Sequence, residues 1–165
     1  MNNKFTFVLI GLLILLISTQ QGYCQTANNA YLALKKMEAK TQVGISHRDY
    51  YPALAETKFE VEKFLESKSA TKNPELTEHL DKALTLYIHA KDIFDLKMDN
   101  ERVFVDDELN GRLVRLIYPK AIAHPSTSQH PELRNRKLYD LSEVLSGLWG
   151  DASKEIKKAS FYLKN

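Results

Sequence analysis

The stretch PELTEHLDKALTLYIHAKDIFDLKM, residues Pro74 to Met98, decides the fold that we expect for this chain. Its apolar residues recur at steps of three and four, which places them along one face of a helix. These residues are Leu76, Leu80, Ala83, Tyr87, Ala90, Phe94 and Met98. Asn73 is a good N-cap, and Pro74 is tolerated at the first helical position because its missing N–H needs no helical partner there. The stretch therefore predicts a long helix that packs against several neighbours.

Two further helices are predicted before this one. The first runs from about Ala27 to Val43 and ends at Gly44, a natural C-cap. The second begins near Asp49, which is a good N-cap, and ends in a turn over residues 67–73. Because only short connections join these helices, we expect all three to be antiparallel neighbours.

The chain between residues 99 and 130 has a weaker pattern. Apolar residues show helical spacing again after Asp107, which predicts a short helix capped by Asp106 or Asp107 and stopped by Pro119. A continuous helix over residues 74–118 is the alternative. Residues 121–129 are rich in proline and hydroxyl side chains and are predicted to form a loop.

The last helix is predicted to begin at Pro131 and to continue to the end of the chain. Its apolar residues keep one phase from Leu138 to Leu163. Gly147 and Gly150 each cost about 1 kcal/mol relative to alanine inside a helix. We nevertheless predict one helix, in which these glycines let a neighbouring backbone or the Trp149 indole pack closely; a break at Gly150 is the alternative.

The first two dozen residues have the pattern of an export signal. Lys4 is followed by an almost wholly apolar run from Phe5 to Ile17 and then by polar residues. A helix of about 13 residues is roughly 20 Å long, which is shorter than the hydrocarbon layer of about 30 Å. We therefore predict that residues 1–24 are a signal peptide cleaved before Gln25, and that the protein is exported to the periplasm or secreted.

Two alternatives stay open for this segment. One is an uncleaved membrane anchor formed by residues 5–17, and the other is a lipid-modified Cys24, the only cysteine of the chain. Membrane contact is expected only through this segment, if it is retained. Residues 25–165 are predicted to form a single helical domain.

Composition excludes several classes of function. Residues 1–24 hold one lysine and no acidic residue, so the chain after cleavage has 22 basic and 21 acidic residues and a net charge of about +1. Proteins that bind nucleic acid carry a clear basic excess, and we expect no such partner here. Residues 25–165 contain no cysteine, which excludes a disulfide, a zinc–thiolate site and a thiol nucleophile in that part of the chain.

Three histidines form a candidate metal site. In an up-and-down bundle, His47 in the first connection lies at the same end as His124 and His130 in the third. Imidazoles with nearby carboxylates are suitable ligands for zinc or copper. Solvated histidines in polar connections are the competing interpretation.

The sequence predicts an all-α protein, an antiparallel up-and-down four-helix bundle with a short extra helix in the crossover before the last helix. Apart from the metal alternative, we expect no cofactor, and no motif indicates a catalytic residue, so an enzyme is not expected. The predicted role is a non-catalytic module of the cell envelope or secreted fraction. It would bind another protein or a small ligand through residues 99–130, because long connections in compact bundles commonly carry function.

Overall fold

A computed structural model describes residues 25–163, and this part of the chain is mostly helical. The predicted signal segment, residues 1–24, lies outside the described residues. Helix α1 covers residues 25–42, and the later helices are α2 (His47–Leu65), α3 (Lys68–Lys72), α4 (Pro74–Asp99), α5 (Asn110–Ile117) and α6 (Leu141–Tyr162). Gly44 ends the first helical region with a φ of 87°, a left-handed conformation that glycine adopts readily.

A small antiparallel sheet, absent from the all-α prediction, lies between α4 and α6. Its strands are β1 (Arg102–Phe104), β2 (Ala123–Pro125) and β3 (Lys137–Asp140), and β3 is the central strand. Val103 pairs with Tyr139, and His124 pairs with Leu138. Strands of three or four residues are stabilised by pairing with distant parts of the chain. The spacing of apolar residues along the sequence does not reveal such pairing.

Side-chain hydrogen bonds join the long helices to one another. Thr57 of α2 reaches the Ala33 carbonyl of α1, and the Tyr50 hydroxyl donates to the Tyr87 carbonyl of α4 at 2.9 Å. Among the elements from α2 onward, α4 and α6 contact each other most extensively. At one end of this pair, Asn73 Nδ2 donates to the Tyr162 carbonyl at 3.0 Å.

The face predicted for α4 is largely the buried one. Leu76, Leu80, Ala83, Tyr87 and Ala90 are buried, and Phe94 is half-buried against the same core. The prediction is wrong at Met98, whose residue surface is 61% exposed. Phe94 contacts His47, the first residue of α2. The last residues of α4 therefore extend beyond the N-terminus of α2, and Met98 is left at the surface.

Two boundaries near α2 differ from the prediction. Ser46, rather than Asp49, is the N-cap: the Ser46 hydroxyl accepts from the Asp49 N–H at 3.1 Å and donates to its carboxylate at 2.6 Å. This reciprocal pair satisfies an N–H that the first turn would otherwise leave without a partner. The segment predicted as a turn over residues 67–73 contains the short helix α3.

The last helix begins ten residues later than predicted. Pro131–Leu133 forms only a single 3-10 turn, and the chain then enters β3. Helix α6 starts after Asp140, whose carboxylate accepts from the N–H groups of Ser142 and Glu143. From there α6 is continuous across Gly150, as predicted.

Of the two glycines in α6, only Gly147 allows close packing. A Cβ on Gly147 would lie 2.5 Å from the Tyr118 hydroxyl oxygen, whereas a Cβ on Gly150 would meet nothing within 4 Å. The prediction of close packing is therefore right for Gly147, where the neighbour is the Tyr118 ring rather than a backbone or the Trp149 indole, and wrong for Gly150.

In the described part of the chain, no helix has the length and apolar character needed to cross a bilayer.

Candidate functional site

Helix α5 lies in the connection between α4 and α6, as a separate element. The alternative of one continuous helix over residues 74–118 is wrong, because α4 ends at Asp99 and β1 follows. The carboxylate of Asp107 accepts from the N–H of Leu109 at 3.0 Å and of Asn110 at 2.7 Å. Asp107 thus caps the start of α5, as the sequence predicts.

The buried side of α5 contains Gly111 and Val114. A Cβ on Gly111 would clash with the carbonyl oxygens of Phe104 and Val105, so only glycine lets α5 lie this close to the end of β1. Val114 is fully buried in the common core. These two residues fix which way α5 faces.

The opposite side of α5 carries an apolar surface, which we call the leucine face and define as Leu109, Leu113 and Leu116. Leu109 lies directly before the helix, and Leu113 is half-buried. Their spacing of four and three residues puts them in one line, about 180° around the helix from Gly111 and Val114 at 100° per residue. Leu109 is 77% exposed and Leu116 is 76% exposed. Their helical spacing predicts a helix without assigning its buried side. In the structure this side lies away from β1, because Gly111 lets the other side approach the backbone at the end of β1.

Two cationic side chains accompany the leucine face. Helix α5 carries Arg112 and Arg115 and no acidic residue. The Arg115 guanidinium donates to the Val105 carbonyl, which holds the side chain without neutralising its charge. Arg112 is exposed. The surface of α5 therefore combines apolar groups with positive charge.

The support beneath α5 is held together by contacts between distant residues. Arg136 donates to both carboxylate oxygens of Asp106 at 2.8–3.1 Å, and its guanidinium carbon lies 3.8 Å from the centre of the Phe104 ring. The Arg136 guanidinium lowers the pKa of Asp106. Lys120, beyond the end of α5, donates to Asp151 of α6 at 3.0 Å. These contacts tie the α5 region to the sheet and to α6.

The three histidines of the predicted metal site have three different carboxylate neighbours. His47 Nε2 lies 2.8 Å from Asp95, His124 Nε2 lies 2.7 Å from Glu143, and His130 Nδ1 lies 3.7 Å from the neighbouring Glu132. Within residues 25–163, no group of three or more His, Cys, Asp and Glu residues could hold a metal ion. The structure does not bring His47, His124 and His130 into one such group.

His47 belongs instead to a polar and aromatic cluster at the start of α2. Asp95 accepts from His47, from the Tyr51 hydroxyl and, at 2.8 Å, from the Lys91 ammonium. Burial alone would raise the pKa of Asp95, but the hydrogen bonds from Lys91, Tyr51 and His47 outweigh it and lower the pKa to about 2. The cluster joins α2 to α4 through one ionised carboxylate.

The sequence alone does not indicate that Asp95 is the hydrogen-bond partner of His47. His47 and Asp95 are separated by 48 positions, and nothing in the local pattern links them. The same holds for His79, whose Nδ1 lies 2.7 Å from Glu155 on α6. Polar contacts of this kind follow from how the helices pack, so a single sequence carries no local signal for them.

Comparisons of this chain with models of known families, with curated proteins and with solved structures found no match.

Proposed function

We propose that this chain is an exported, non-catalytic interaction module that binds another protein through the leucine face. In this proposal the four long helices form an antiparallel bundle, and the segment between α4 and α6 presents the binding surface at one end. The exposure of Leu109 and Leu116 on one line of a capped and anchored helix is the observation that supports it. Isolated exposed leucines are ordinary, but aligned ones on a fixed helix are typical of a contact surface.

The partner is expected to be a protein whose contact surface combines apolar side chains with carboxylates. The leucines would enter apolar contacts, and Arg112 would pair with an acidic group beside them, while Arg115 adds positive charge on the side of α5 nearer β1. Arginine is favoured at such surfaces because its planar guanidinium binds a carboxylate through two parallel hydrogen bonds. The charge of α5 selects an acidic partner surface over a basic one.

Export is part of the proposal, and the sequence supports it. The apolar run Phe5–Ile17 after Lys4 has the length of the apolar region of a signal peptide, and polar residues follow it. The partner is therefore expected in the cell envelope or among secreted proteins.

The experiment is site-specific photo-crosslinking in the full chain, in cells that naturally produce it. A photoreactive phenylalanine analogue replaces Leu116 in one variant and Phe59 in a second. Phe59 is a matched control, since it is 63% exposed and lies on α2. Position 116 should give an adduct with one identified protein, and position 59 should not. The identified partner is then purified for binding assays with uncrosslinked variants.

Three substitutions complete the test. Leu116→Ser and Arg112→Glu should each weaken binding to the purified partner at least tenfold, whereas Phe59→Ser should leave it unchanged. Circular dichroism of each variant checks that the fold is retained. Adducts only with copies of this chain or with lipid would refute the proposal, as would equal crosslinking at both positions or unchanged binding by the Leu116 variant.

A further inference from the structure

A groove between α1 and α6 has features that neither the fold nor the leucine face requires. Its volume is about 330 Å³, at the lower end of the range for small-molecule sites of about 300–1,000 Å³. Its lining includes Glu38 and Thr41 on α1, and Trp149, Gly150 and Ser153 on α6.

A buried carboxylate lies in this groove. Glu38 is 6% exposed, and it is the one ionised side chain among the residues that line the groove. One carboxylate oxygen accepts from the Ser153 hydroxyl, and the other accepts from the Lys35 ammonium. Glu38 thus places a carboxylate, paired on one side with the Lys35 ammonium, in a position where water competes poorly with a cation.

Gly150 keeps the groove open. A glycine in the interior of a helix costs about 1 kcal/mol relative to alanine, and at Gly147 close packing against Tyr118 offsets that cost. At Gly150 no atom lies within 4 Å of the position that a Cβ would occupy. The packing of this chain therefore does not require glycine at position 150, and the missing side chain leaves this part of the groove open.

An aromatic side chain forms one wall of the groove. Trp149 provides this indole wall, and it also packs against Tyr50 and Phe94. Aromatic faces attract cations, and Trp is the strongest of them.

We propose that this groove binds a small organic ammonium ion, with the cation between the Glu38 carboxylate and the Trp149 ring. A buried acidic group beside an indole favours a cation over an anion, and the volume favours a free small molecule over a polymer segment. Lys35 competes with the ligand for one oxygen of Glu38. The groove is separate from the leucine face, so the failure of either proposal leaves the other intact.

Choline and its neutral analogue 3,3-dimethylbutan-1-ol, which have nearly the same shape, are the test ligands. Trp149 is the only tryptophan, so the intrinsic fluorescence of the full chain reports directly on the groove. Choline should change this fluorescence saturably with a millimolar dissociation constant, and the neutral analogue should bind at least tenfold more weakly. Equal responses to the two compounds would overturn the proposal.

Variants separate the groove from other carboxylates. Glu38→Gln should weaken choline binding at least tenfold, Gly150→Leu should abolish it by filling the groove, and Lys35→Met should strengthen it severalfold by removing the competing cation. Glu56→Gln, a change at an exposed carboxylate on α2, should leave binding unchanged. If the Glu38 variant does not fold, Gly150→Leu decides the question, because retained binding by that variant would refute the site.

A second arm tests the source of the ammonium group. Phosphatidylcholine vesicles carry the same cation on a lipid headgroup, and the chain should not co-sediment with them. Co-sedimentation that is lost in Gly150→Leu would assign the groove to a lipid headgroup and overturn the proposal of a free small molecule.

Discussion

The same substitution at two glycines of α6 should change stability in opposite directions. Replacing Gly150 with alanine removes the helix penalty of glycine and adds a Cβ that meets nothing within 4 Å. The free energy of unfolding should rise by about 1 kcal/mol, and the melting temperature by about 2–4 °C. Replacing Gly147 gives the same gain in helix propensity but places a Cβ 2.5 Å from the Tyr118 hydroxyl oxygen and 2.8 Å from two ring carbons.

The Tyr118 ring must therefore move by several tenths of an ångström in the Gly147 variant. Tyr118 packs against the common core at the end of α5, and overpacking of this kind costs about 1–3 kcal/mol. Subtracting the gain in helix propensity leaves Gly147→Ala less stable than the parent by about 1 kcal/mol. The two variants should consequently differ by about 2 kcal/mol, although their positions are three residues apart.

Urea unfolding followed by circular dichroism measures both variants against the parent chain. A Tyr118→Leu background is the control: it removes the obstructing ring, and there Gly147→Ala should stabilise the protein about as much as Gly150→Ala does. Equal effects of the two alanines in the parent background would refute the reasoning, because they would mean that Tyr118 does not pack on α6 at Gly147.

Three further predictions concern single contacts. Asp107→Ala removes the cap of α5 and should cost about 1 kcal/mol, seen as faster amide exchange in α5. Asp95→Asn should lower the free energy of unfolding by about 1 kcal/mol at pH 7, a value reduced because the Asp95 side chain is 35% exposed. The pKa of Asp95 is about 2 in the folded protein, against an ordinary value of 3.8. The difference in unfolding free energy between variant and parent, measured with urea, should therefore shrink as the pH falls from 4 to 2. Tyr50→Phe removes a hydroxyl that donates to a backbone carbonyl and accepts from Trp149, and it should cost about 1–3 kcal/mol and shift the tryptophan emission.

The long helices could be predicted because their signals are local. Asn73 accepts from the Leu76 N–H at 3.1 Å, so the start of α4 follows from the cap and the proline that the sequence displays. The phase of α6 likewise appears in the spacing of Leu141, Leu145 and Leu148, all of which are buried. In both cases a residue and its structural role lie within one or two turns of each other.

The sheet could not be predicted in this way. Lys137–Asp140 has no period of its own, and it pairs with two strands whose residues lie 12 or more positions away. The sequence Pro131-Glu132-Leu133 carries the same start signal as α4, but only one 3-10 turn follows it. Strand pairing of the residues that follow overrides the local helical signal.

The orientation of α5 shows the same limit at the candidate site. The spacing of Leu109, Leu113 and Leu116 predicts a helix correctly, but it does not tell which side of that helix is buried. Gly111 decides the orientation, because the carbonyl oxygens of β1 occupy the space where a Cβ would lie. Glycine does not contribute to the spacing of apolar residues, so the sequence does not show that Gly111 faces the protein. Only the position of β1 reveals this.

The buried Glu38 is a further case. In the sequence it follows Lys35 and Lys36 on the polar side of the first helix, and nothing distinguishes it from an exposed glutamate. Its burial depends on Ser153, which lies 115 positions away on α6. Both proposed binding surfaces thus depend on contacts that form only when the helices pack.

The most direct test of the proposed function is a charge-swap cycle between Arg112 and a carboxylate of the crosslinked partner. Each single change, Arg112→Glu here and the acidic residue to lysine there, should weaken binding at least tenfold. The double change should restore binding, with a coupling energy above about 1 kcal/mol. Additive losses with every acidic residue of the partner would contradict the claim that the leucine face and its arginines bind that protein.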